Sequence, residues 1–430
     1  MPNDYLEHLS VGGVLLKFWT WALSPASRIS KVEDFIFTPR RLSLYGYAFL
    51  AANVTAFVIR FFVGKWLIDK AGHPTFIDFL AWWIAGKFAD IRNAAGVYNY
   101  STFSSAQALV VKSAPPAGYF YFLYPPTMLL VFGPIAMLPY EIAFVAWIAA
   151  TLCLYAIAIY AISPYLLSIV LALLPLPAVE NAFLGQTAFL MAGLLGLSMV
   201  FMSRRPYLSG IFLGILTCKP QFVLFFPLAL LITRQWRVIA GATVSALLLA
   251  GAATLVFGPN AWLLFLRALH GNNPATLLPP NLVALDQTVF GLMHEAGAGV
   301  TAAWVVHLAV ALSMTALACQ IWTRPVPDSL KAAAFSIGAL TVTPYMFAYD
   351  LTAFSVPTAF LLSDSLARGF VPGERLVLMG CFLTLFLCFN FAVGPIVLLV
   401  LMGLVLRRVR YATNPSAAIA AAVLTPTNQN

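Results

Sequence analysis

The sequence predicts an all-α polytopic membrane protein with about 12 transmembrane helices. The chain of 430 residues is 61% hydrophobic and only 9% charged, with a mean hydropathy of +0.89. Soluble domains carry roughly 25% charged residues, because a folded surface needs charge to stay in solution. The apolar residues also form blocks close to the ~20 residues that cross the ~30 Å hydrocarbon core of a bilayer. Together these observations exclude a soluble enzyme or binding module.

Apolar runs place the expected spans along the chain. A long outer loop, residues 64–123, follows the first span, and interfacial helices are expected within it. The stretch from Tyr165 to Pro177 is apolar but short and proline-rich, which favours a re-entrant or broken helix buried in protein. The expected spans cover about residues 44–63, 125–139, 141–162, 187–203, 207–218, 220–233, 238–257, 299–322, 332–348, 351–366, 376–390 and 394–406.

The distribution of positive charge predicts the orientation of these spans. With the N-terminus inside, 16 of the 24 lysines and arginines fall in inner segments, as the positive-inside rule requires. Residues 1–41 are interpreted as a cytoplasmic arm with an interfacial helix, residues 42–411 as the membrane domain, and residues 412–430 as a disordered tail. Both termini are therefore expected in the cytoplasm, and the long loop 64–123 on the opposite face.

Neither redox chemistry nor nucleic-acid binding is indicated. The net charge is +9, but the lysines and arginines lie between apolar spans and form no basic stripe on a soluble domain. No glycine-rich nucleotide-binding motif and no short metal-ligand pair occurs in the sequence, so no cofactor is expected. All five cysteines lie in apolar segments and are interpreted as packing residues: Cys153, Cys218, Cys319, Cys381 and Cys388.

Asp78 is the most informative acidic residue in the sequence. It is the single carboxylate of the apolar segment from Thr75 to Lys87 in the long outer loop, and on a helix it would share one face with Trp82, one turn later. A carboxylate beside an indole suits a sugar, because the ring stacks on its C–H face and the carboxylate accepts from a hydroxyl. The alternative interpretation is that Asp78 caps this helix or pairs with Lys70 or Lys87.

Two further outer motifs allow both structural and functional interpretations. The run from Tyr119 to Tyr124 precedes Pro125 and Pro126, and would ordinarily be an aromatic belt at the interface. The segment from Glu180 to Gln186 starts another span. Its polar side chains could satisfy unpaired N–H groups of a helix or hold the hydroxyls of a substrate.

Two charged residues stand between later apolar runs. Lys219 begins the sequence Lys-Pro-Gln that ends at Gln221, and it either snorkels to the membrane surface or holds a lipid phosphate. Asp350 follows Tyr349 in a proline-containing turn. An ionisable group placed there needs either a partner or a function.

In this order, the motifs resemble those of glycosyltransferase family 87. The resemblance rests on Ile77 to Gly86, Val97-Tyr98-Asn99, Leu123 to Pro126, Leu184-Gly185-Gln186, Cys218 to Gln221 with Arg234 to Arg237, and Pro344-Tyr345 with Tyr349-Asp350. That family includes polyprenyl-phosphate-mannose-dependent α-mannosyltransferases. The resemblance implies a GT-C type multispan bundle with its site at the outer membrane face, and it covers about residues 40–410.

The resemblance also implies roles for individual residues. Asp78 takes the place of the catalytic aspartate and would act as general base in a direct, inverting displacement. The expected donor is a polyprenyl-phosphate hexose, with mannose as the first candidate, and the expected acceptor is a glycan or glycolipid. The family varies in both sugar and acceptor, so the resemblance leaves them open. Membrane lipids are expected partners, in a bacterial inner membrane. The candidates for binding substrate and donor are Trp82, Arg92, Tyr124, Gln186, Lys219, Gln221, Tyr349 and Asp350.

Other classes of membrane protein share part of this pattern. A transporter or lipid flippase would also have apolar spans and buried charges, but it gives no reason for a carboxylate-bearing helix in the long outer loop. A lipid-polysaccharide ligase or polymerase would use diphosphate-linked donors, and a structural membrane subunit would need none of these residues. Transfer from a labelled polyprenyl-phosphate sugar distinguishes these classes.

Overall fold

The computed structural model describes residues 25–90, 93–111, 118–271 and 286–413. Within these ranges the regular secondary structure is helical, and extended pairing is limited to isolated bridges. The prediction of an all-α membrane protein is confirmed. An apolar sequence in a bilayer must satisfy its backbone hydrogen bonds within each segment, which helices do.

Four helices in the described ranges are long and apolar enough to cross a membrane. They have 22 to 24 residues each, which at ~1.5 Å per residue gives about 33–36 Å, enough to cross ~30 Å of hydrocarbon. They are Pro39–Phe62, Tyr140–Ile162, Trp236–Phe257 and Val300–Trp322. The count of about 12 spans stays a prediction.

A bent helix pair follows the second of these spans. Leu166–Leu173 and Leu176–Leu184 meet at 76°, so they form either one broken span or a re-entrant loop. Pro175 interrupts the pair because proline has no N–H to donate and its ring disfavours a continuous helix. The break expected between Tyr165 and Pro177 is confirmed, although the second helix extends further than expected.

The remaining helices are shorter. Several have 8 to 15 residues, and the longest is the last, Gly394–Thr413, with 20. They are Pro25–Ile36, Asp78–Asp90, Tyr100–Val110, Pro126–Ala136, Ala188–Phe201, Pro206–Leu216, Phe225–Ile232, Pro259–Gly271, Val289–Glu295, Asp328–Val342, Ser355–Arg368, Glu374–Thr384 and Gly394–Thr413. Short 3-10 helices occupy Ala94–Tyr98, Pro220–Val223, Ala348–Phe354 and Leu385–Leu387.

The boundaries of two expected spans were wrong. The helix expected over residues 332–348 ends at Val342, and the one expected from residue 351 begins at Ser355. Thr343, with φ −56° and ψ 119°, leaves the helical conformation because it precedes Pro344, whose ring disfavours the α conformation in the preceding residue. The residues between the two helices form a turn and the 3-10 helix that carries Asp350.

The helix that begins at Asp78 is packed into the protein. Most of its residues are buried, including Phe79 and Trp82, and it lies against the helix Pro126–Ala136. Gly86 allows this contact, since a Cβ atom there would lie 2.3 Å from the backbone oxygen of Phe132. The helix expected in the long loop is therefore present, and the location of that helix at a membrane interface stays a prediction.

The last helix, Gly394–Thr413, defines two opposite ends of the molecule. At one end, the backbone N–H of Gly394 donates to Gln287, close to the turn that precedes Asp350. At the other end, Arg408 lies about 21 Å away along the helix axis, at ~1.5 Å per residue. We call these the Asp78 end and the Arg408 end. The Asp78 end holds the candidate site, and the Arg408 end holds a buried network of charges.

The N-terminal helix Pro25–Ile36 is fastened to the Arg408 end. Glu33 is 3% exposed, and its carboxylate accepts from the backbone N–H groups of Gly373 and Leu376. Those groups begin the helix Glu374–Thr384, where an N-terminus favours a negative charge. Asp34 adds an ion pair with Arg375 at 2.6 Å. The predicted interfacial helix of residues 1–41 is only partly within the described residues, because residues 1–24 lie outside them.

Candidate functional site

Asp78 is the first residue of its helix and is half-buried. One carboxylate oxygen, Oδ2, accepts a hydrogen bond of 2.7 Å from the side-chain amide of Gln186. Within the described part of the chain, neither Lys70 nor Lys87 forms an ion pair with it, and the Lys87 ammonium lies 4.9 Å from the ring of Trp83 instead. The ion-pair alternative for Asp78 is therefore wrong within these ranges.

A tight turn delivers Gln186 to Asp78. Gly185 ends the preceding helix with a φ of +71°, a left-handed conformation that glycine adopts without steric strain. A Cβ atom at Gly185 would lie 2.5 Å from the Cβ of Phe79, so the turn rests directly on the Asp78 helix. The indole N–H of Trp147 donates to the Gly185 carbonyl at 2.9 Å and holds the turn in place.

Lys219 and Asp350 form a buried ion pair. The Lys219 ammonium lies 2.6 Å from Oδ1 of Asp350, and the two residues are 4% and 1% exposed. Oδ2 of Asp350 accepts from the backbone N–H of Phe347 at 3.2 Å, which closes the turn around it. The Lys219 ammonium is therefore held inside the protein by Asp350, which disfavours the snorkelling alternative.

Thr187 and Tyr124 lie between the Asp78 carboxylate and the Lys219 ammonium. The Thr187 hydroxyl lies 3.4 Å from the Lys219 ammonium and 3.1 Å from the Tyr124 hydroxyl. Since Gln186 binds Asp78 and the next residue contacts Lys219, two consecutive residues hold the carboxylate and the cation side by side. Thr187 was missed in the sequence, although it directly follows the Leu-Gly-Gln motif that ends at Gln186.

Trp82 lies one turn after Asp78, as predicted, but deep in the protein. It is 6% exposed, its ring stacks on Phe132 at 5.7 Å, and the Tyr124 ring meets it edge-on at 4.8 Å. Its indole N–H is buried and lacks a hydrogen-bond partner among the described residues. The structure thus places Trp82 behind Tyr124, and its predicted stacking on a sugar stays a prediction.

Of the remaining predicted binding residues, the structure describes Tyr349 and Gln221. The Tyr349 ring lies 5.7 Å from the Lys219 ammonium and joins the site. Gln221 lies on the short 3-10 helix after Lys219, and its backbone oxygen accepts from the Thr343 hydroxyl at 3.2 Å. Arg92 lies outside the described residues.

Asp286 and Gln287 lie at this end of the molecule, just before the helix Val289–Glu295. Asp286 is 5% exposed and forms an isolated bridge with Phe347, while its Oδ1 accepts from the backbone N–H of Thr288 at 3.2 Å. The side-chain amide of Gln287 donates to the carbonyls of Cys388 and Phe391. Asp286 and Gln287 are not among the site residues predicted from the sequence. The feature of the sequence that could have located this segment is Thr288, a residue type that favours helix N-caps, whose hydroxyl caps the next helix.

Burial sets the proton affinity of Asp78. Loss of hydration raises the pKa of its carboxyl from 3.8 to about 6, and the charge of nearby Glu180 acts in the same direction. The hydrogen bond from Gln186 acts in the opposite direction, because it favours the ionised carboxylate. A carboxylate with a pKa near neutrality can both hold and accept a proton at physiological pH.

The chemistry available here is that of a base beside a cation. Among the described residues, no three of the histidine, cysteine, aspartate and glutamate side chains cluster as metal ligands would. What the site does offer is a carboxylate for proton transfer, an ammonium for a negatively charged group, and several hydroxyls that can hydrogen-bond a polar substrate.

Comparison with known proteins supplies the family. The sequence model of glycosyltransferase family 87 matches residues 122–348, more than half of the chain. The matched segment includes Tyr124, Gln186, Thr187 and Lys219, and it ends two residues before Asp350. No curated protein and no solved structure matches the chain. With several helices long and apolar enough to cross a membrane, the chain belongs to glycosyltransferase family 87.

Proposed function

We propose that the protein transfers a hexose, with mannose as the first candidate, from a polyprenyl-phosphate sugar to a lipid-linked or envelope glycan acceptor. The observation that carries this proposal is the pairing of Asp78 with Gln186 beside the Lys219–Asp350 pair. Family membership supports glycosyl transfer, and the resemblance of the motifs supports the lipid-phosphate donor.

Asp78 acts as the general base in this proposal. It takes the proton of the acceptor hydroxyl, whose oxygen attacks the anomeric carbon of the donor sugar. The bond between that carbon and the phosphate oxygen breaks, and the electron pair leaves with the polyprenyl phosphate. The leaving group needs no protonation, so one carboxylate suffices and the anomeric configuration inverts. Most glycosidases instead need two carboxylates.

Lys219 holds the phosphate in this proposal. An ammonium has three N–H donors, and within the described residues two of them face Asp350 and Thr187. In this proposal the third donates to a phosphate oxygen of the donor. Asp350 keeps the ammonium charged and oriented, while Lys219 offsets the charge that develops on the departing phosphate.

The site is proposed to face the periplasm or exterior of a bacterial inner membrane, with both termini in the cytoplasm. The support is the excess of lysine and arginine in the segments opposite the Asp78 loop. A lipid-linked donor would then reach the site from within the bilayer.

Purified protein in lipid nanodiscs tests the proposal directly. It is supplied with radiolabelled polyprenyl-phosphate hexoses and extracted membrane glycolipids, and the products are separated and weighed by mass spectrometry. Wild-type protein should form a new glycolipid, and Asp78→Asn should reduce the rate by about 100-fold or more. The matched control is Asp90→Asn, at the exposed far end of the same helix, which should keep the wild-type rate.

Two outcomes contradict the proposal in different ways. Full transfer by Asp78→Asn would remove this residue as the base. No transfer from any donor, together with saturable movement of the lipid across the membrane, would instead identify a transporter or flippase.

A further inference from the structure

Four exposed arginines lie on two loops at the end of the molecule opposite Asp78. The helix that begins beside Thr187, in the candidate site, has 14 residues and carries the chain about 21 Å away before the first loop. The chain then returns to Lys219 and leaves the site again before the second loop. The first loop carries Arg204 and Arg205, and the second carries Arg234 and Arg237.

Close helix packing holds the two loops side by side. The helix after the first loop and the helix after the second run parallel, because their contacts advance in the same direction along both. Gly210 lies against Val238, and Gly214 lies against Ala242. A Cβ atom at either glycine would collide with the backbone of the other helix. The two helices therefore begin at the same end, and the partial positive charges of their N-termini add to those of the arginines.

The four arginines have no acidic partner among the described residues. The sequence contains no aspartate or glutamate from residue 181 to residue 285. By contrast, Arg375 and Arg408, at the same end of the molecule, each pair with an acidic side chain. Unpaired charges of one sign repel one another, so an anion placed between the two loops would be attracted by all four arginines.

Arg234 occupies a backbone position that favours glycine. Its φ is +56°, in the left-handed region, and its N–H donates to the carbonyl of Leu231 at 3.2 Å where the helix ends. Glycine is the usual residue in this conformation at a helix end, because it has no Cβ. The arginine is therefore explained better by a contact of its side chain than by the turn that it forms.

Two exposed aromatic side chains flank the arginines. Trp236 is 60% exposed and Tyr207 is 57% exposed, and each lies within two residues of an arginine in these loops. Tryptophan and tyrosine favour the level of the lipid headgroups, because each has an apolar ring and a polar group. The helix that begins at Trp236 is also long and apolar enough to cross a membrane. The arginines are therefore placed where lipid phosphates lie.

We propose that the two loops bind the headgroup of an anionic phospholipid that carries two phosphodiester groups. Each guanidinium presents a planar fork of N–H donors that matches the oxygens of a phosphate. Two arginines on each of two adjoining loops can hold two linked phosphates, one at each loop. Basic surfaces between membrane helices suit such headgroups. This site lies opposite Asp78, and binding there does not depend on the transfer reaction proposed above.

Lipid binding can be measured without any transfer. Full-length protein in detergent is titrated with cardiolipin, which has two phosphodiesters, and the bound lipid is counted by native mass spectrometry. Phosphatidylglycerol, with one phosphodiester, should bind more weakly, and zwitterionic phosphatidylcholine should bind most weakly. Arg237→Gln should lower the apparent affinity for cardiolipin about fivefold, as expected for one cation near a lipid surface. Adding Arg204→Gln should lower it about 20-fold in total.

Arg234→Gly separates lipid binding from folding. Glycine fits the left-handed backbone there, so this variant should keep the unfolding midpoint of the wild type or exceed it. It should nevertheless lose about fivefold in affinity for cardiolipin. The matched control is Arg410→Gln, which removes an exposed arginine from the last helix at the same end and should bind like wild type.

The outcomes that would overturn the proposal are distinct. Equal binding of the three lipids, or wild-type affinity in both Arg234→Gly and Arg237→Gln, would mean that the loops form no such site. An equal loss in Arg410→Gln would assign the effect to general surface charge. Inorganic phosphate, added in excess, should leave cardiolipin bound. Complete displacement by phosphate would instead identify a site for free anions.

Discussion

The side-chain amide of Gln186 donates a hydrogen bond of 2.7 Å to the carboxylate of Asp78, although the two residues are 108 positions apart in the sequence. This contact opposes the effect of burial on Asp78, because it stabilises the charged carboxylate. The pKa of Asp78 near 6 is the balance of these effects.

The first prediction concerns the pH dependence of transfer. As a base, Asp78 must be ionised, so the acidic limb of kcat/KM should fall below about pH 6 in wild-type protein. Gln186→Leu removes the bond that favours the charged form, and the limb should move upward by about one pH unit. Gln320→Leu, at an exposed glutamine of the helix Val300–Trp322, is the control. An unchanged midpoint in Gln186→Leu would show that another group sets this limb.

The second prediction concerns stability. Folding raises the pKa of Asp78 from 3.8 to about 6, so the folded state disfavours its charge. Well below pH 3.8 the carboxyl is protonated in both states and this penalty is absent. The penalty grows as the pH rises from 3.8 to about 6 and is complete above that pH. At pH 7.5 Asp78→Asn should therefore be more stable than wild type, by up to about 3 kcal/mol and less for a partly accessible carboxylate.

Thermal unfolding of Asp78→Asn at pH 7.5 and pH 4.5 checks this sign. The stabilisation should shrink at the lower pH, and Asp90→Asn should show none at either pH. A variant that is less stable than wild type at pH 7.5 would mean that the charge of Asp78 supports the fold.

The third prediction separates structure from function in the Lys219–Asp350 pair. Lys219→Met leaves a buried carboxylate without its partner, which should destabilise the protein by about 3–5 kcal/mol. Adding Asp350→Leu removes the unpaired charge and should restore most of that stability. Transfer should stay low in both variants, because neither can hold the donor phosphate.

Thermal unfolding and the apparent donor KM, measured on the same preparations, test this pair. Lys331→Met removes a lysine from a looser, partly exposed pair and should alter neither quantity strongly. Recovery of transfer in the double variant would assign the pair a purely structural role.

The fourth prediction concerns the Arg408 end. Arg408 is 5% exposed and binds Asp364 at 2.6 Å and both oxygens of Glu374 at 2.5 and 2.6 Å. Arg408→Met leaves these buried carboxylates without that partner and should destabilise the protein by about 3–5 kcal/mol. Arg410→Met, two residues later and exposed, should change the stability by less than about 0.5 kcal/mol.

Unfolding midpoints of the two arginine variants supply the comparison. Transfer per folded molecule should be equal in both, since the network lies at the end opposite Asp78. A loss of transfer in folded Arg408→Met would instead couple the two ends.

Much of the architecture could be predicted because hydropathy is a local property. Blocks of apolar residues predicted the long helices, and the short, proline-rich stretch from Tyr165 to Pro177 predicted the break in the bent pair. The spacing of Asp78 and Trp82 correctly predicted one turn of helix. The predicted end of the helix that stops at Val342 was wrong, because the apolar run continues past Pro344 and conceals the turn.

The sequence by itself determined the membrane class, the family and the chemical types at the site. Composition decides whether a chain is stable in water or in a bilayer. Motifs can be identified from the sequence because each is a short run of neighbouring residues. Only the tertiary structure decided that Asp78 is bonded to Gln186, that Lys219 is neutralised by Asp350, and that Thr187 lies between them. These contacts join residues up to 131 positions apart, and their geometry depends on how helices pack around Gly86 and Gly185. Hydropathy carries no information about such packing. Many different apolar residues give the same hydropathy, although their shapes pack differently.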